Sequence, residues 1–339
     1  MTAATNPMFG DPVATDRPAS DRRRTMIAFL SRFGTILFLV LVCAFFTAQN
    51  VHFLSLANLA NILTDVSISG IIAVGMTFVI IAAGVDLAVG ATLAFATMIA
   101  AWVVNLSGFR FGPAWLTALL VAVAVGTMVG YVHGKATTAL RVPAFITTLG
   151  GMTIWRGAAM LVNDGGPISG FDESLRWWGT GALFGLPVPV IVFGLVCLIG
   201  YVIQQYTRFG RYIYAIGGNA EAARLTGLDV KAVQISVYVG VGMLSGLAGF
   251  LLMARLNSAE AVAGLSYELR VIASVVIGGA SLSGGVGGIG GTIIGALLIG
   301  VLSNGLVMLG VNAYYQQIVI GVIIVLAVAF DTYAKRYGR

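Results

Sequence analysis

The sequence predicts an all-α, polytopic membrane protein with about ten transmembrane helices, some of them short or broken. Hydrophobic residues make up 58% of the 339 residues and charged residues only 9%, whereas soluble domains carry about 25% charged residues. Apolar segments of about 20 residues, long enough to cross a bilayer as helices, recur along most of the chain. A chain of this composition cannot cover a water-facing surface, so we exclude a soluble globular protein.

The predicted embedded segments are runs of aliphatic and small residues bounded by polar or glycine-rich stretches. In chain order they are residues 33–49, 68–83 (preceded by the more polar 56–67), 87–105, 114–133, 145–162, 188–204, 232–256, 269–280, 289–309 and 315–330. The fifth and eighth are too short or too polar for ordinary lipid-facing spans, so we expect them to pack inside the bundle. The 45 glycines favour close helix packing in lipid.

The distribution of positive charge predicts the orientation. Most of the 19 basic residues lie in the two tails and in the loops that an even number of spans places on the side of the N-terminus. The excess of Lys and Arg on the cytoplasmic side of membrane proteins therefore predicts that both termini are cytoplasmic. We expect a disordered tail at residues 1–30, a transmembrane domain at 31–334 and a short tail at 335–339.

One polar stretch stands out between two long apolar segments. Residues 207–231 hold several basic residues and the run Glu221-Ala222-Ala223, followed by Gly227. We expect this segment to be partly helical and to be the docking site of a separate soluble protein. An ordinary amphipathic loop is the alternative.

Two glycine-rich interruptions break the apolar pattern. In the first, Gly84, Asp86 and Gly90 separate two apolar runs, and Asp86 is placed to cap the following helix. The second contains Gly284 and Gly285. We consider these five residues candidate sites of helix breaking and gating, with a purely structural role for Asp86 as the alternative.

The second interruption also contains a GxGxxG spacing, at Gly285, Gly287 and Gly290. It does not predict a dinucleotide site, because no buried strand precedes it and no acidic residue follows about 20 positions later. Glycines spaced four apart, as in the runs from 126 to 134, 242 to 246 and 287 to 295, instead predict smooth faces for backbone-to-backbone helix packing.

Catalytic signals are absent from the sequence. The two histidines, His52 and His133, lie in different segments and form no metal-binding pair, and the chain has no phosphate-gripping glycine loop. We therefore expect no enzyme activity, no metal and no cofactor. We attribute the net charge of +6 to the basic residues of loops and tails that set the membrane orientation, and not to nucleic-acid binding.

Uncharged polar and aromatic residues within the apolar segments could meet a neutral, hydroxylated solute. The candidates for a pathway are Thr77, Phe78, Asn304 and Gln316, with packing in the protein interior as the alternative for each. Carboxylates fall at segment ends, which does not favour an ion-coupled carrier. The charged residue Arg156 lies inside segment five, where we expect it to snorkel or to pair with Asp164; bordering the pathway is the alternative.

Four stretches together carry a family resemblance. They are GMTFVIIAAGVDLAVG at 75–90, VPAFITTLGGMTIWRG at 142–157, TRFGRYIYAIGGNAEAARLTGLDV at 207–230 and VIGGASLSGGVGGIGGTIIGALL at 276–298. In this order they resemble the permease subunits of bacterial ATP-binding-cassette importers for ribose, xylose, arabinose, galactose and autoinducer-2. The resemblance runs from about residue 33 to the C-terminus, and Ala88 departs from it where the family usually has serine.

The resemblance implies a mechanism and partners. It implies that residues 31–334 form a permease domain surrounded by lipid in the bacterial inner membrane. It also implies that residues 207–231 are the coupling loop, which contacts a cytoplasmic ATPase, and that this ATPase binds the ATP and magnesium. The residues of this loop that would carry the coupling are Gly218, Asn219, Glu221, Ala222, Ala223, Arg224 and Gly227. A periplasmic sugar-binding protein would deliver solute, and a second copy or a sister permease would complete the pathway.

Two other interpretations stay open at this point. One is a permease of the same kind for another small solute, such as inositol, a polyol or a branched-chain amino acid. The other is a stand-alone secondary carrier or channel, which would transport without ATP.

Overall fold

The computed structural model describes residues 19–106, 109, 112–312, 314–319, 321–323 and 325–326. The helices are α1 (Ala19–Gln49), α2 (Leu56–Ile81), α3 (Val89–Ala101, continued by a π-helical turn at Trp102–Leu106), α4 (Ala114–Ala139), α5 (Ala144–Leu161), α6 (Glu173–Thr180), α7 (Val188–Tyr206), α8 (Arg208–Gly218), α9 (Ala220–Leu225), α10 (Val230–Leu256), α11 (Tyr267–Ile277) and α12 (Ile289–Met308). Two short antiparallel pairs join them: β1 (Ile168–Ser169) with β4 (Ser258–Ala259), and β2 (Ala182–Leu183) with β3 (Leu186–Pro187).

The helices confirm a mainly helical, multi-pass membrane protein. Five of them, α2, α4, α7, α10 and α12, are long and apolar enough to cross a membrane, and two shorter apolar helices lie at Gly34–Gln49 and Val89–Asn105. The polar stretch 56–67 is not separate but forms the first turns of α2, where Ser55 caps the helix by accepting from the amide of Asn58. The number of ten spans and the cytoplasmic position of both termini stay predictions.

The chain ends are described only in part. Helix α1 begins at Ala19, inside the range for which we predicted a disordered tail, and residues 1–18 lie outside the described residues. The tenth predicted segment is helical at 314–319, 321–323 and 325–326, and the rest of it and the 335–339 tail lie outside that description. The domain division therefore stays a prediction.

Helix α10 is the central helix, packed against α2, α3 and α4. Its contact with α4 depends on glycine. A Cβ atom on Gly126 would overlap the carbonyl oxygen of Gly242, and one on Gly246 would overlap that of Ala122. Helix α12 approaches α11 in the same way, through Gly295 against the carbonyl of Ser274. The predicted smooth glycine faces are thus confirmed on α4, α10 and α12, except that Gly287 lies in the break before α12 and is not part of its helix face.

The fifth and eighth predicted segments, which we expected to pack inside the bundle, differ in where they lie. Helix α11 packs against α12 and α2 and buries several of its residues, as predicted. Helix α5 does not lie inside the bundle, so that prediction is wrong: it contacts α3 and α4 through one face, which buries Thr148, Gly151 and Ala159. Its opposite face, with Ile146 56% and Ile154 63% exposed, is open in the single chain.

Arg156 anchors a loop rather than reaching toward water. Its Nη1 donates to the carbonyl oxygens of Ala261 (2.6 Å) and Ala263 (2.7 Å), in the connection between β4 and α11. The expectation that Arg156 snorkels or pairs with Asp164 is therefore not met. The guanidinium thus supplies hydrogen-bond donors to two carbonyl oxygens of an irregular backbone segment. Irregular backbone in a membrane protein needs such partners.

Candidate functional site

The two glycine-rich breaks meet at one end of the molecule. The first, residues 82–88, follows α2 and reverses direction through Ala83, whose φ is +59°. The second, residues 278–288, follows α11 and contains Gly285, whose amide donates to the carbonyl oxygen of Ile81 at 2.9 Å. Gly285 has a φ of +72°, a conformation in which a side chain is strained. The end of α2 is thus tied directly to the second break.

Helix α8 joins the same contact. A Cβ atom on Gly217 would overlap the carbonyl oxygen of Ile81 and lie 2.5 Å from the amide nitrogen of Gly285. The backbone of α8 therefore touches the end of α2 and the second break, and only the absence of a side chain at Gly217 allows this contact. We call this three-way contact of Ile81, Gly217 and Gly285 the junction.

Side chains from α7 and α8 hold the second break from its other end. The Gln204 Oε1 accepts from the amide of Ile289 at 3.0 Å, and its Nε2 donates to the carbonyl oxygen of Gly287 at 3.2 Å. The Tyr214 hydroxyl donates to the same carbonyl at 2.6 Å and also contacts the Gln204 amide. These hydrogen bonds connect α7 and α8 to the start of α12.

The 207–231 segment is an ordered helical unit, because a side chain caps each helix at its N-terminus. Thr207 accepts from the amide of Gly210 (3.2 Å), Asn219 from that of Ala222 (2.9 Å), and Asp229 from that of Ala232 (3.0 Å). The cap residue Asn219 was predicted as part of the coupling loop without this role.

The outward face of α9 carries the charged pair of the segment. Arg224 Nε donates to Glu221 Oε2 at 3.1 Å, and the two side chains are 65% and 67% exposed. The hydrogen bond and charge of Arg224 hold the pKa of Glu221 below its usual value, and Glu221 raises the pKa of Arg224. Both groups are therefore charged at neutral pH and face water.

The two alanines of the Glu221-Ala222-Ala223 run differ in direction. Ala222 is exposed, whereas Ala223 is buried beneath the helix, so only Ala222 offers a small outward surface. Gly218 and Gly227 are also exposed, and Gly227 closes the turn after α9 with a φ of +86°. Leu225 lies next to Arg224 and is 77% exposed. With Glu221, Ala222 and Arg224 it forms an outward patch. We did not predict that Leu225 belongs to it, although its position next to Arg224 could have indicated this.

Asp86 does not cap α3 as expected. Its Oδ1 accepts from the amide of Ala88 at 2.8 Å, before the helix begins, and α3 has no side-chain cap. Its Oδ2 lies 3.3 Å from Nδ1 of His133, and Nε2 of His133 accepts from the indole N–H of Trp155 at 2.9 Å. Because Trp155 can only donate, Nδ1 is the ring atom that donates to Asp86. Asp86 and His133 are each only 2% exposed.

This chain of three side chains links the first break to α4 and α5. We missed it, because His133 and Trp155 are far from Asp86 in sequence and no local pattern connects them. The carbonyl oxygen of Val85 adds two weaker ties, from the hydroxyls of Thr148 and Tyr238, each at 3.4 Å.

The five candidate gating residues do not form one cluster. Gly84, whose amide donates to the carbonyl of Val79 at 2.9 Å, lies in the first break near Asp86. Gly284 packs against Ala83 and the carbonyl of Gly217, next to Gly285 at the junction. Gly90 lies apart, in the first turn of α3, where a Cβ atom would overlap the carbonyl of Gly264.

The candidate pathway residues lie at separate places, and most have partners inside the protein. Thr77 is fully buried, and its hydroxyl bonds that of Thr292 at 2.7 Å. Asn304 exchanges two amide hydrogen bonds with Asn58, at 2.9 and 3.0 Å. Gln316 donates to the carbonyl oxygen of Val311, and Phe78 lines an apolar groove of about 420 Å³ between α2, α7 and α10. A role of these residues in the pathway stays a prediction.

In the part of the chain that the structure describes, no three His, Cys, Asp or Glu side chains come together as metal ligands would. The arrangement instead connects a surface segment to the ends of membrane helices. A capped surface segment touches the end of α2 and the second break, and the two breaks are held by glycine contacts and polar side chains.

Apolar spanning helices with such a surface segment define a multi-pass membrane protein of the permease class. The chain belongs to the family described as branched-chain amino acid transport system / permease component, whose model matches residues 58–328.

Curated relatives cover nearly the whole chain. It is 43% identical to the ribose import permease protein RbsC of Escherichia coli (strain K12) over 321 residues, which are 94% of this chain and 98% of the relative. It is 42% identical to the protein of the same name from Bacillus subtilis (strain 168), over 89% of this chain and 93% of the relative. It is 38% identical to the D-allose transport system permease protein AlsC of Escherichia coli (strain K12), over 89% and 92%. No solved structure matches the chain significantly.

Proposed function

We propose that this chain is the transmembrane permease subunit of an ATP-driven monosaccharide importer in the bacterial inner membrane. It forms the solute pathway and binds no nucleotide itself. A cytoplasmic ATPase docks on the outward face of α9, and a periplasmic sugar-binding protein delivers solute at the opposite end.

The junction is the observation that carries this proposal. When the ATPase closes on ATP, it displaces α9, and α8 moves with it because Asn219 joins the two helices. The contacts of α8 then transmit the displacement to the end of α2 and the start of α12. Backbone packed without intervening side chains deforms little, so it is a stiff connection.

Relatives named for ribose and allose support a monosaccharide as the solute, with ribose the first to test. The test is uptake of labelled ribose into proteoliposomes holding the chain with its ATPase, supplied with the binding protein. We expect uptake that requires ATP and both partners, and no uptake of labelled leucine or inositol. Uptake without ATP would support the stand-alone carrier, and leucine uptake would support the amino acid importer; either result contradicts the proposal.

Replacing Glu221 by lysine should abolish ATP-dependent uptake while leaving the chain folded. The Glu221–Arg224 pair is mostly exposed, and exposed pairs contribute only about 0–1 kcal/mol to stability. Reversing the charge next to Arg224 disrupts the docking surface instead. Uptake and thermal unfolding should be measured together, with Glu173→Lys as control, since Glu173 is exposed at the start of α6. Normal uptake by Glu221→Lys would contradict docking at α9.

The open face of α5 is our proposed contact with a second permease chain. Gly150 and Gly157 on α5 have nothing within 4 Å of where a Cβ would lie, and small residues allow close helix approach in lipid. Gly150→Cys should therefore form a disulfide-linked dimer under mild oxidation, seen as a band of doubled mass on a non-reducing gel. The control is Leu198→Cys, 60% exposed on α7; equal cross-linking of both variants would contradict this contact.

A further inference from the structure

A cavity of about 440 Å³ opens at the same end of the molecule as the 207–231 segment. Its walls are the first break at Ala82–Gly84, the α4–α5 connection and the first turns of α10. The volume is within the range of small-molecule sites. The cavity is separate from the outward face of α9 and from the junction.

The cavity is positively charged. Arg141 and Lys231 both line it, one in the α4–α5 connection and one in the first turn of α10. No carboxylate is among the described residues that line it. Neither cation forms a salt bridge within the described part of the chain. Two cations without counter-charges, facing one cavity, favour an anionic occupant.

Uncharged donors add to this charge. The Thr137 hydroxyl oxygen is buried and has no hydrogen-bond partner, although Thr137 lines the cavity. Helix α5 begins at the cavity wall with Ala144, and no side chain caps it. The unsatisfied amides and the positive end of the helix dipole therefore lie beside the cavity. Thr137 lines the cavity but its hydroxyl oxygen is buried, so the side chain must rotate to present that oxygen to the cavity. A buried hydroxyl without a partner is costly, and an oxyanion in the cavity would satisfy the rotated hydroxyl.

We propose that this cavity binds a phosphate group, held between Arg141 and Lys231 with the Thr137 hydroxyl as a further donor. Arginine and lysine are the side chains that bind phosphate best. The group could come from the headgroup of an anionic lipid or from a soluble phosphate, because both offer the same oxyanion. This site goes beyond the proposed function and does not depend on which solute is carried.

Binding there would connect elements on both sides of the first break. A phosphate shared by the two cations would tie the α4–α5 connection to α10, against the wall formed by Ala82–Gly84. Its occupancy would therefore stabilise the arrangement of the first break seen in this structure.

The experiment measures the unfolding temperature of the purified full-length chain with two probes. In detergent, sodium phosphate is compared with sodium chloride at equal ionic strength. In nanodiscs, phosphatidylcholine with phosphatidylglycerol is compared with phosphatidylcholine alone. A ligand that binds the folded state raises the unfolding temperature with its concentration, and that dependence gives its apparent affinity.

The variants are Arg141→Gln, Lys231→Gln and Thr137→Val, each tested separately so that a single misfolded variant does not decide the result. The matched control is Lys135→Gln, because Lys135 is an exposed cation of α4 that lies outside the cavity and 5.7 Å from the Tyr131 ring centre. We expect stabilisation of the natural chain and of Lys135→Gln. Removing either cation should weaken the apparent affinity about tenfold, the scale of one charge-assisted hydrogen bond.

The two probes separate the sources. Stabilisation by sodium phosphate identifies a soluble phosphate as sufficient, and stabilisation by phosphatidylglycerol alone identifies the lipid headgroup. No stabilisation by either probe would overturn the proposal. If Lys135→Gln lost as much apparent affinity as Arg141→Gln and Lys231→Gln, the proposal would also be overturned, because the effect would then come from surface charge in general. Loss of ribose uptake has no bearing on this readout.

Discussion

Gly217→Ala is expected to reduce ATP-coupled uptake at least about tenfold, whereas Gly194→Ala on α7 is expected to leave it nearly unchanged. A methyl group on Gly217 would overlap the carbonyl oxygen of Ile81 and crowd the amide of Gly285, whereas nothing in the described part of the chain lies within 4 Å of the corresponding point on Gly194. Both obstacles at Gly217 are backbone atoms, which cannot rotate away as a side chain would. The junction must therefore open.

The expected loss at Gly217 is large. Overpacking of a tight contact costs about 1–3 kcal/mol, and about 1.4 kcal/mol corresponds to a tenfold change in the equilibrium between the closed and the opened junction. We therefore expect ATP-dependent ribose uptake to fall at least about tenfold in Gly217→Ala. ATPase stimulation by the binding protein should fall with it.

The measurement is uptake per folded permease in proteoliposomes, with the amount of assembled complex determined by gel filtration. Gly194→Ala is the matched control, because it makes the same chemical change at an exposed glycine of a neighbouring helix, outside the coupling segment. If Gly217→Ala retained normal uptake, or if both variants lost it equally, the junction would not be the connection that transmits movement.

His133→Ala is expected to destabilise the chain and to impair transport. It removes the partner of a buried carboxylate, Asp86, and leaves the indole N–H of Trp155 without its acceptor. A buried hydrogen-bonding group that loses its partner costs about 1–3 kcal/mol. The first break would then lose its connection to α4 and α5.

The control for this change is His52→Ala, because the chain has only two histidines and His52 is exposed in the turn before α2. We expect the unfolding temperature in detergent to fall clearly for His133→Ala and to stay within error for His52→Ala. An unchanged unfolding temperature for His133→Ala would mean that the Asp86–His133–Trp155 chain contributes little.

The sequence was sufficient for features that depend on local pattern. Apolar runs predicted the helices α2, α4, α7, α10 and α12, because span length and hydropathy are properties of consecutive residues. Four-residue glycine spacing predicted close helix packing, since such spacing places glycines on one helix face, but it did not predict that α4 and α10 are the partners. The motif at 207–230 predicted a helical surface segment, and three side-chain caps fix its helices.

Features that depend on contacts between distant residues could not be predicted in this way. In the sequence Gly217 is an ordinary helix glycine, and only the structure shows that Ile81 and Gly285 lie beside it. His133 reads as an isolated histidine until its neighbours Asp86 and Trp155 are known. The open face of α5 was misjudged for the same reason, because a short apolar segment does not reveal whether protein or lipid covers it.

Labelling of Ala222→Cys with a membrane-impermeant maleimide tests the central claim, that α9 faces the cytoplasm and carries the ATPase. The two natural cysteines are a mild background, since Cys197 is buried and Cys43 partly so. We expect the added cysteine to be labelled in inside-out vesicles, not in right-side-out vesicles, and to be protected when the ATPase subunits are bound. Labelling from the periplasmic side, or equal labelling with and without the ATPase, would contradict the account.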